Sequence, residues 1–379
     1  MRPVHGGNLA WAAAESGCCA EAILDFSASI SPLGPPQSAI AAIEAALGQL
    51  SNYPDPDYRE LKAVLARTHQ LPPEWILPGN GSAELLTWAG WDLAKLSATF
   101  LVTPAFGDYW RALNAFNAKV IEWPLDRGAD GAQEAEGAEG DKLDQNPKSK
   151  IQNPKFPHPS PHSLDRADCG LLINNPHNPT GMLFDRETIL PYLEQFALVV
   201  VDEAFMDFLP PERSHSLIPL VQQYPNLVIL RSLTKFYSLP GLRIGYAIAH
   251  PDRLQRWQQW RDPWPVNALA AAAAIAALKD TQFQKQTWAW LPPTRLKLWQ
   301  GLSQIEGLQP FHSAANFLLV SSAQPGQKLQ QRLLQQHQIL IRDCLSFPEL
   351  GDRYFRVAVR SNTDNERLLQ ALWQLTTMS

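Results

Sequence analysis

Lys235 stands in the stretch RSLTKFYSLPGLRIGY (231–246), with the hydroxyls of Ser232 and Thr234 just before it and Arg243 eight residues on. The apolar run NLVIL leads in, and Pro240-Gly241 turns the chain afterwards. A lysine at a strand end, among hydroxyls and beside a turn, is poorly explained as a solubilising charge. An amine held there can act as a nucleophile toward a carbonyl compound. Three other places carry groups suited to chemistry. Asp202 ends ALVVVDEAF and so puts a carboxylate at the carboxyl edge of a buried strand, where open α/β sheets bind ligands. A capping or turn aspartate is the alternative there. NNPHNPTG (174–181) is an amide-rich turn after another strand, in which Asn178 could simply bond to backbone. GNGSAE (79–84) is a glycine turn opening a helix, so the N–H groups around Ser82 and Ala83 could cradle a phosphate.

Each motif alone has an ordinary structural explanation; the set together has a chemical one. A carbonyl-reactive lysine, a strand-end carboxylate, an amide-rich turn and a phosphate-type turn are what an enzyme needs to hold pyridoxal 5′-phosphate. Lys235 would carry the cofactor as a Schiff base, and Asp202 would pair with the ring nitrogen to keep it protonated. An opposite charge at that range shifts a pKa by about 1–3 units. Ser232, Arg243 and the Ser82–Ala83 turn would hold the phosphate, and Asn178 the ring hydroxyl.

These side chains need strands and turns to position them. Short apolar runs recur as expected strands: TFLVTP, KVIEW, GLLINN, ALVVVDEAF, NLVILRS and IGYAIA. Several are continuous Val/Ile/Leu runs, the pattern of parallel strands buried on both faces. Helix-period segments lie among them, at 36–50, 59–69 and after GNGSAE. The fold class predicted is α/β, with a large domain (36–265) built on a mostly parallel sheet covered by helices. An irregular arm with one short helix precedes it (1–35). An alanine-rich helix and alternating strand and helix patterns follow it as a small α+β lobe (266–379). Pro292-Pro293 are expected to kink or interrupt the helical pattern over 282–307. One interval breaks the rhythm: 127–166 is acidic and Gly/Ala-rich at first, then carries five prolines between Pro147 and Pro161. Such a segment buries little apolar surface and is expected to form a mobile surface insertion.

The 379 residues, 45% hydrophobic and 18% charged, describe an ordinary globular composition, and the net charge of −5 gives no basic footprint for nucleic acid. Cys18, Cys19, Cys169 and Cys344 have no metal-ligand spacing, which fits a reducing cytoplasm. The first residues lack a charged segment followed by a clean apolar run, and the longest apolar stretch, Ala268 to Leu278, is too short to span a bilayer.

The order of these motifs resembles the fold-type I pyridoxal-phosphate enzymes. Histidinol-phosphate aminotransferases are similar, and the match along the chain is closer to the threonine-phosphate decarboxylases of cobalamin biosynthesis. Further segments carry the likeness: HGGN (5–8), LDFSASISPLGPP (24–36), NYPDPDYREL, VTPAFGDYWRAL, WPVNALAA, ILIRDC and YFRVAVRSNTDNERLL. They cover nearly all the chain outside 127–166. The resemblance implies that Phe106, otherwise a core phenylalanine, stacks on the cofactor ring. It implies that Tyr53 reaches the cofactor phosphate of a neighbouring subunit, hence a homodimer. Arg356 would grip the acidic end of the substrate, Arg342 would be a second phosphate ligand, and His5, otherwise a terminal histidine, would lie in an arm folded over the site. The implied reaction is decarboxylation of a phosphorylated amino acid, L-threonine O-3-phosphate, with histidinol-phosphate amino transfer as the alternative. Ligand-sensing transcription regulators share the domain but carry a winged helix-turn-helix, and no basic DNA-reading segment is seen. Three departures stand out. Phe205 occupies a position that is Tyr in most aminotransferases, a feature the decarboxylases share. Ser29 and Ser31 replace Asn, and Pro292-Pro293 fall in a helix the family keeps continuous.

Overall fold

The computed structural model describes residues 5–125 and 165–377. The insertion expected over 127–166 lies outside them except for its last two positions, where the Asp165 carboxylate accepts from the Ala167 N–H to open a 3₁₀ turn.

The arm holds helix α1 (Leu9–Ser16) and strand β1 (Leu24–Asp25). Helices α2 (Gln37–Ala46) and α3 (Arg59–His69) follow. Next come β2 (Ile76–Asn80), α4 (Ser82–Leu93), β3 (Ala98–Thr103), α5 (Gly107–Asn114) and β4 (Val120–Pro124). Then follow β5 (Cys169–Asn174), α6 (Arg186–Gln195), β6 (Leu198–Asp202), β7 (Leu227–Ser232) and β8 (Ile244–Ala249). These strands form one seven-stranded sheet in the order β2-β8-β7-β6-β5-β3-β4, parallel except for β8. The mostly parallel sheet read from the sequence is therefore present, and its apolar runs are buried on both faces. Leu101, Leu172, Val200 and Val228 pack with α4, α5 and α7 (Pro251–Trp260) on one side. Leu171, Val199, Val201 and Ile229 face the larger core on the other, shared with α3, α6 and α8 (Ala268–Lys279).

Helix α9 (Thr281–Ser303) runs through Pro292-Pro293 as one element, so the interruption expected there does not occur. Both prolines lie on the exposed side, while Phe283, Thr287, Leu291, Thr294, Leu298 and Leu302 form a buried stripe. Burial of that stripe outweighs the backbone hydrogen bonds that the prolines remove. Beyond it come β9 (Leu308–Pro310), β10 (Phe317–Ser322), α10 (Gly326–His337), β11 (Ile339–Leu340), β12 (Arg342–Asp343), β13 (Tyr354–Ala358) and α11 (Asn362–Thr377). A four-stranded antiparallel sheet in the order β12-β13-β10-β9 results. β1 pairs in parallel with β11, Leu24 opposite Ile339 and Asp25 opposite Leu340, which ties the N-terminal segment to this lobe. Among the described residues no helix is long and apolar enough to cross a membrane.

Behind the end of β6 lies a buried charge cluster. Arg231 donates to Glu203 at 2.9 Å and to Asp207 at 2.5 Å, and Glu203 also accepts from Ser216 Oγ and the Leu217 N–H. Glu203 follows Asp202, and Arg231 precedes Ser232, so the cluster clamps the two strand ends that carry site residues. Removing one partner of such a cluster strands the others in a low dielectric. Arg231→Met is expected to lower the unfolding free energy by about 3–5 kcal/mol, measured by denaturant titration. A loss below about 1 kcal/mol, the scale of a surface pair, would contradict the clamp.

Candidate active site

At the carboxyl edge of β5, β6 and β7, the N-terminal segment and the β13 lobe close over a cavity of about 300 Å³. One end is built for an oxyanion. Gly81 caps the start of helix α4, its φ of +75° suits glycine, and no described side chain caps the helix. Its first N–H groups are therefore available to an anion, reinforced by the helix dipole. The Arg243 guanidinium lies against Gly81 so closely that a Cβ there would sit 2.5 Å from Nη2. A Cβ on Gly245 would likewise meet the Ser82 nitrogen at 2.6 Å. Gly245 is the register partner of Ser232, whose Oγ lies 2.7 Å from Thr234 Oγ1. Ser82, Ala83, Ser232, Thr234 and Arg243 thus converge on one end of the cavity as a set of donors.

The middle of the cavity carries Asp202, Lys235, Asn178 and Phe106. Asp202 is buried, and its Oδ1 accepts from the Ala204 N–H at 2.9 Å. Its Oδ2 accepts from the Tyr109 hydroxyl at 2.8 Å. Burial pushes the Asp202 pKa up to about 6 against these two hydrogen bonds; Asp108 adds to the rise and Lys235 opposes it. Burial, then the charges of Arg356 and Arg243, bring Lys235 down to about 8, with Asp202 and Asp25 pulling the other way. The Asn174 amide donates to the Asp202 carbonyl at 2.7 Å and accepts from the Asn178 N–H at 2.6 Å, which pins the amide-rich turn to β6. Phe106 meets Tyr109 edge-on at 5.9 Å and lies 5.5 Å from the His5 ring.

The third part of the site is cationic. Arg342 and Arg356 are direct partners across β12 and β13, so two like charges stand side by side on one sheet face. Arg356 donates to the Asn178 side-chain carbonyl and, at 3.2 Å, to the Ser27 carbonyl; its guanidinium lies 4.8 Å from the Phe317 ring centre. Its buried Nε has no hydrogen-bond partner among the described residues. Burial and then Arg342 lower its pKa to about 10. Arg342 donates to Ser346 Oγ at 2.6 Å and lines a small recess together with His5. Burial and Arg342 also lower the His5 pKa, so its ring is neutral near pH 7. Phe205 reaches the cavity and packs edge-on against Phe317 at 5.0 Å. Ser29 also lines the cavity, its buried Oγ without a hydrogen-bond partner among the described residues.

Of the residues singled out in the sequence, Ser82, Ala83, Phe106, Asn178, Asp202, Ser232, Lys235, Arg243, His5 and Arg356 line one cavity, and Arg342 flanks it. Tyr53 does not line it: the residue is 79% exposed and stacks on Trp264 at 4.3 Å. Sequence reasoning missed Tyr109. The available signal was its position three residues after Phe106, one helical turn along α5 and hence on the same face.

The donor set suits pyridoxal phosphate: a cradle kept open by glycines for a phosphate, a buried carboxylate for a ring nitrogen, and an amine poised near neutral pKa. Comparison with known proteins agrees. The Aminotransferase class I and II family matches residues 21–372. The chain is 39% identical to the threonine-phosphate decarboxylase of Salmonella typhimurium, over 98% of this chain and 96% of that one. It is 30% identical to an adenosylcobalamin biosynthesis bifunctional protein of Leptospira interrogans, over 97% of this chain and 40% of that longer protein. The histidinol-phosphate aminotransferase of Sinorhizobium meliloti, solved with pyridoxal-5′-phosphate, has the same fold, with a TM-score of 0.81 at 21% identity over 100% and 98% of the two chains.

The lowered lysine pKa can be read without cofactor. In cofactor-free protein, the rate at which an amine-directed acylating reagent modifies Lys235 should level off above about pH 8. Arg356→Met removes a neighbouring cation and should move that midpoint upward. A rate still climbing at pH 10 in the wild type would contradict the burial of this amine.

Proposed function

Because the chain belongs to the aminotransferase class I and II family, we propose that it is a pyridoxal-phosphate-dependent decarboxylase. It converts L-threonine O-3-phosphate to (R)-1-aminopropan-2-yl phosphate and CO₂ in cobalamin biosynthesis. The observation that carries this reading is the cross-strand pair Arg342–Arg356 beside the cavity. Two guanidiniums in register suit a dianionic phosphate, which both can bind through paired N–H groups. Gripping the substrate by its phosphate would leave the α-carboxylate unclamped, so that it could be the group lost from Cα.

The cofactor, when bound, supplies an electron-withdrawing pyridinium ring that accepts the electron pair released with CO₂. Asp202 keeps the ring nitrogen protonated, and its burial makes that pairing strong. Ser82, Ala83, Ser232, Thr234 and Arg243 hold the phosphate, and Asn178 steadies the ring oxygen with its amide N–H. Lys235 would hold the cofactor through Nζ, and the same amine, with a pKa of about 8, would be placed to donate a proton toward Cα of a substrate in the cavity. His5 closes the open side above Phe106 and excludes water. Phe205 gives the ring oxygen no phenol, in keeping with the decarboxylase rather than with most aminotransferases.

The enzyme works as a homodimer in the cytoplasm. Tyr53 has no role in its own cavity, yet it is held in a fixed stack on Trp264 and lies well outside the core. Leu47 and Leu50, 52% and 63% exposed, give the adjoining surface an apolar character that a second copy would cover. The partner's tyrosine then completes the phosphate site.

One assay tests the reading. Purified protein with pyridoxal phosphate is given threonine phosphate, or histidinol phosphate plus 2-oxoglutarate, and both CO₂ and glutamate are measured. CO₂ from threonine phosphate with little glutamate is expected, and unphosphorylated threonine should react poorly. Arg356→Ala should cost about 2–5 kcal/mol in kcat/KM for threonine phosphate. Glutamate from histidinol phosphate, without CO₂ from threonine phosphate, would assign the aminotransferase activity instead.

A further inference from the structure

We propose that Tyr109 is a positioning residue for this reaction: its hydroxyl holds the Asp202 carboxylate ionised and oriented, so that Asp202 can keep a ring nitrogen protonated. The proposal rests on the pyridine-nitrogen reading of Asp202.

The geometry is specific. Tyr109 lies in the first turn of α5, only 3% exposed, and its O–H donates to Asp202 Oδ2 at 2.8 Å. Phe106, edge-on at 5.9 Å and 85°, fixes the tyrosine ring from the cavity side. The other carboxylate oxygen accepts from the Ala204 N–H at 2.9 Å. Each oxygen of a carboxylate has two acceptor sites, so both hydrogen bonds leave room for an incoming ring N–H. The two donors also fix the rotation of the carboxylate about its bond to Cβ.

The charged groups around Asp202 do not by themselves keep it ionised. Asp108, on the same helix as Tyr109, repels the carboxylate, and burial disfavours its charge; Lys235, beyond β7, is the cation that opposes them. Tyr109 cannot become a second repelling anion. Burial and the nearby Asp202 push its pKa well above the ordinary range, so it remains a donor at every working pH. A water molecule in its place could turn and offer an oxygen lone pair; a packed phenol cannot.

Tyr109→Phe removes one oxygen and keeps the packing against Phe106. The test is the dissociation constant of pyridoxal phosphate for the cofactor-free protein between pH 5 and pH 8, alongside the pH profile of kcat/KM. Loss of the donor raises the Asp202 pKa, so the ionised form is lost at a higher pH as the solution is acidified. The acid limb of both profiles should move up by about one pH unit, so the variant should bind cofactor about tenfold more weakly at pH 5 and only about twofold more weakly at pH 7. The thermal midpoint should change little. In an Asp202→Asn background, which has no carboxylate to hold, adding Tyr109→Phe should leave cofactor affinity unchanged. Unaltered affinity and profiles in Tyr109→Phe, with Asp202→Asn impaired, would overturn the proposal while leaving the role of Asp202 intact. If Asp202→Asn itself left cofactor affinity and turnover at wild-type values, the reading beneath the proposal would fail with it.

Discussion

The site depends on bringing a carboxylate and an amine into one water-poor cavity at the ends of β6 and β7. Out of water, each group is displaced toward its neutral form, which is why Asp202 rises to about 6 and Lys235 falls to about 8. The two displacements serve different ends. A neutral amine near physiological pH can attack a carbonyl compound, whereas the carboxylate must stay charged and needs donors around it. The strand ends supply those constraints in pairs: Asn174 is in register with Asp202, and Ser232 with Gly245. Behind them the Glu203–Arg231–Asp207 cluster fixes the same two strands from the opposite face.

The second requirement is a cationic wall, and it comes from chain segments far apart in sequence. Arg356 is buried in the β13 lobe but bonds to Asn178 in the turn after β5 and to the Ser27 carbonyl in the N-terminal segment. That segment is in place because β1 pairs with β11, and because the Ser31 N–H bonds to the carbonyl of Lys235 itself. The arm, the sheet and the lobe therefore meet at an arginine that lines the cavity. Burial of a guanidinium beside a second one is costly unless an anion enters between them. A phosphate group bound between them would relieve that cost.

Much of this was legible in the chain. The continuous runs LLIN, LVVVD and LVILRS read as parallel strands because both of their faces are buried, and they are. Lys235, Asp202 and the Ser82–Ala83 turn, which line one cavity, could be singled out because each lies at or just past a strand end. The arginine pair was suggested only by likeness to a family; its register depends on a two-residue strand, β12, too short to leave a periodic signal. Tyr109 was hidden for a different reason. A tyrosine in a helical stretch looks like core packing until the fold places its hydroxyl on a carboxylate 93 residues away in sequence. Local helix propensity penalises Pro292-Pro293 and points to a break in α9, while the buried stripe on the far side of the helix decides the outcome.

The central claim is that Lys235 is the residue that carries the cofactor, and chemical trapping tests it most directly. Protein loaded with pyridoxal phosphate is reduced with borohydride, digested, and its peptides analysed by mass. The account predicts one stably modified peptide, with the pyridoxyl group on Lys235 and none in a Lys235→Ala variant. A label on Lys62, Lys279 or another lysine, or no label on protein that binds the cofactor, would contradict it.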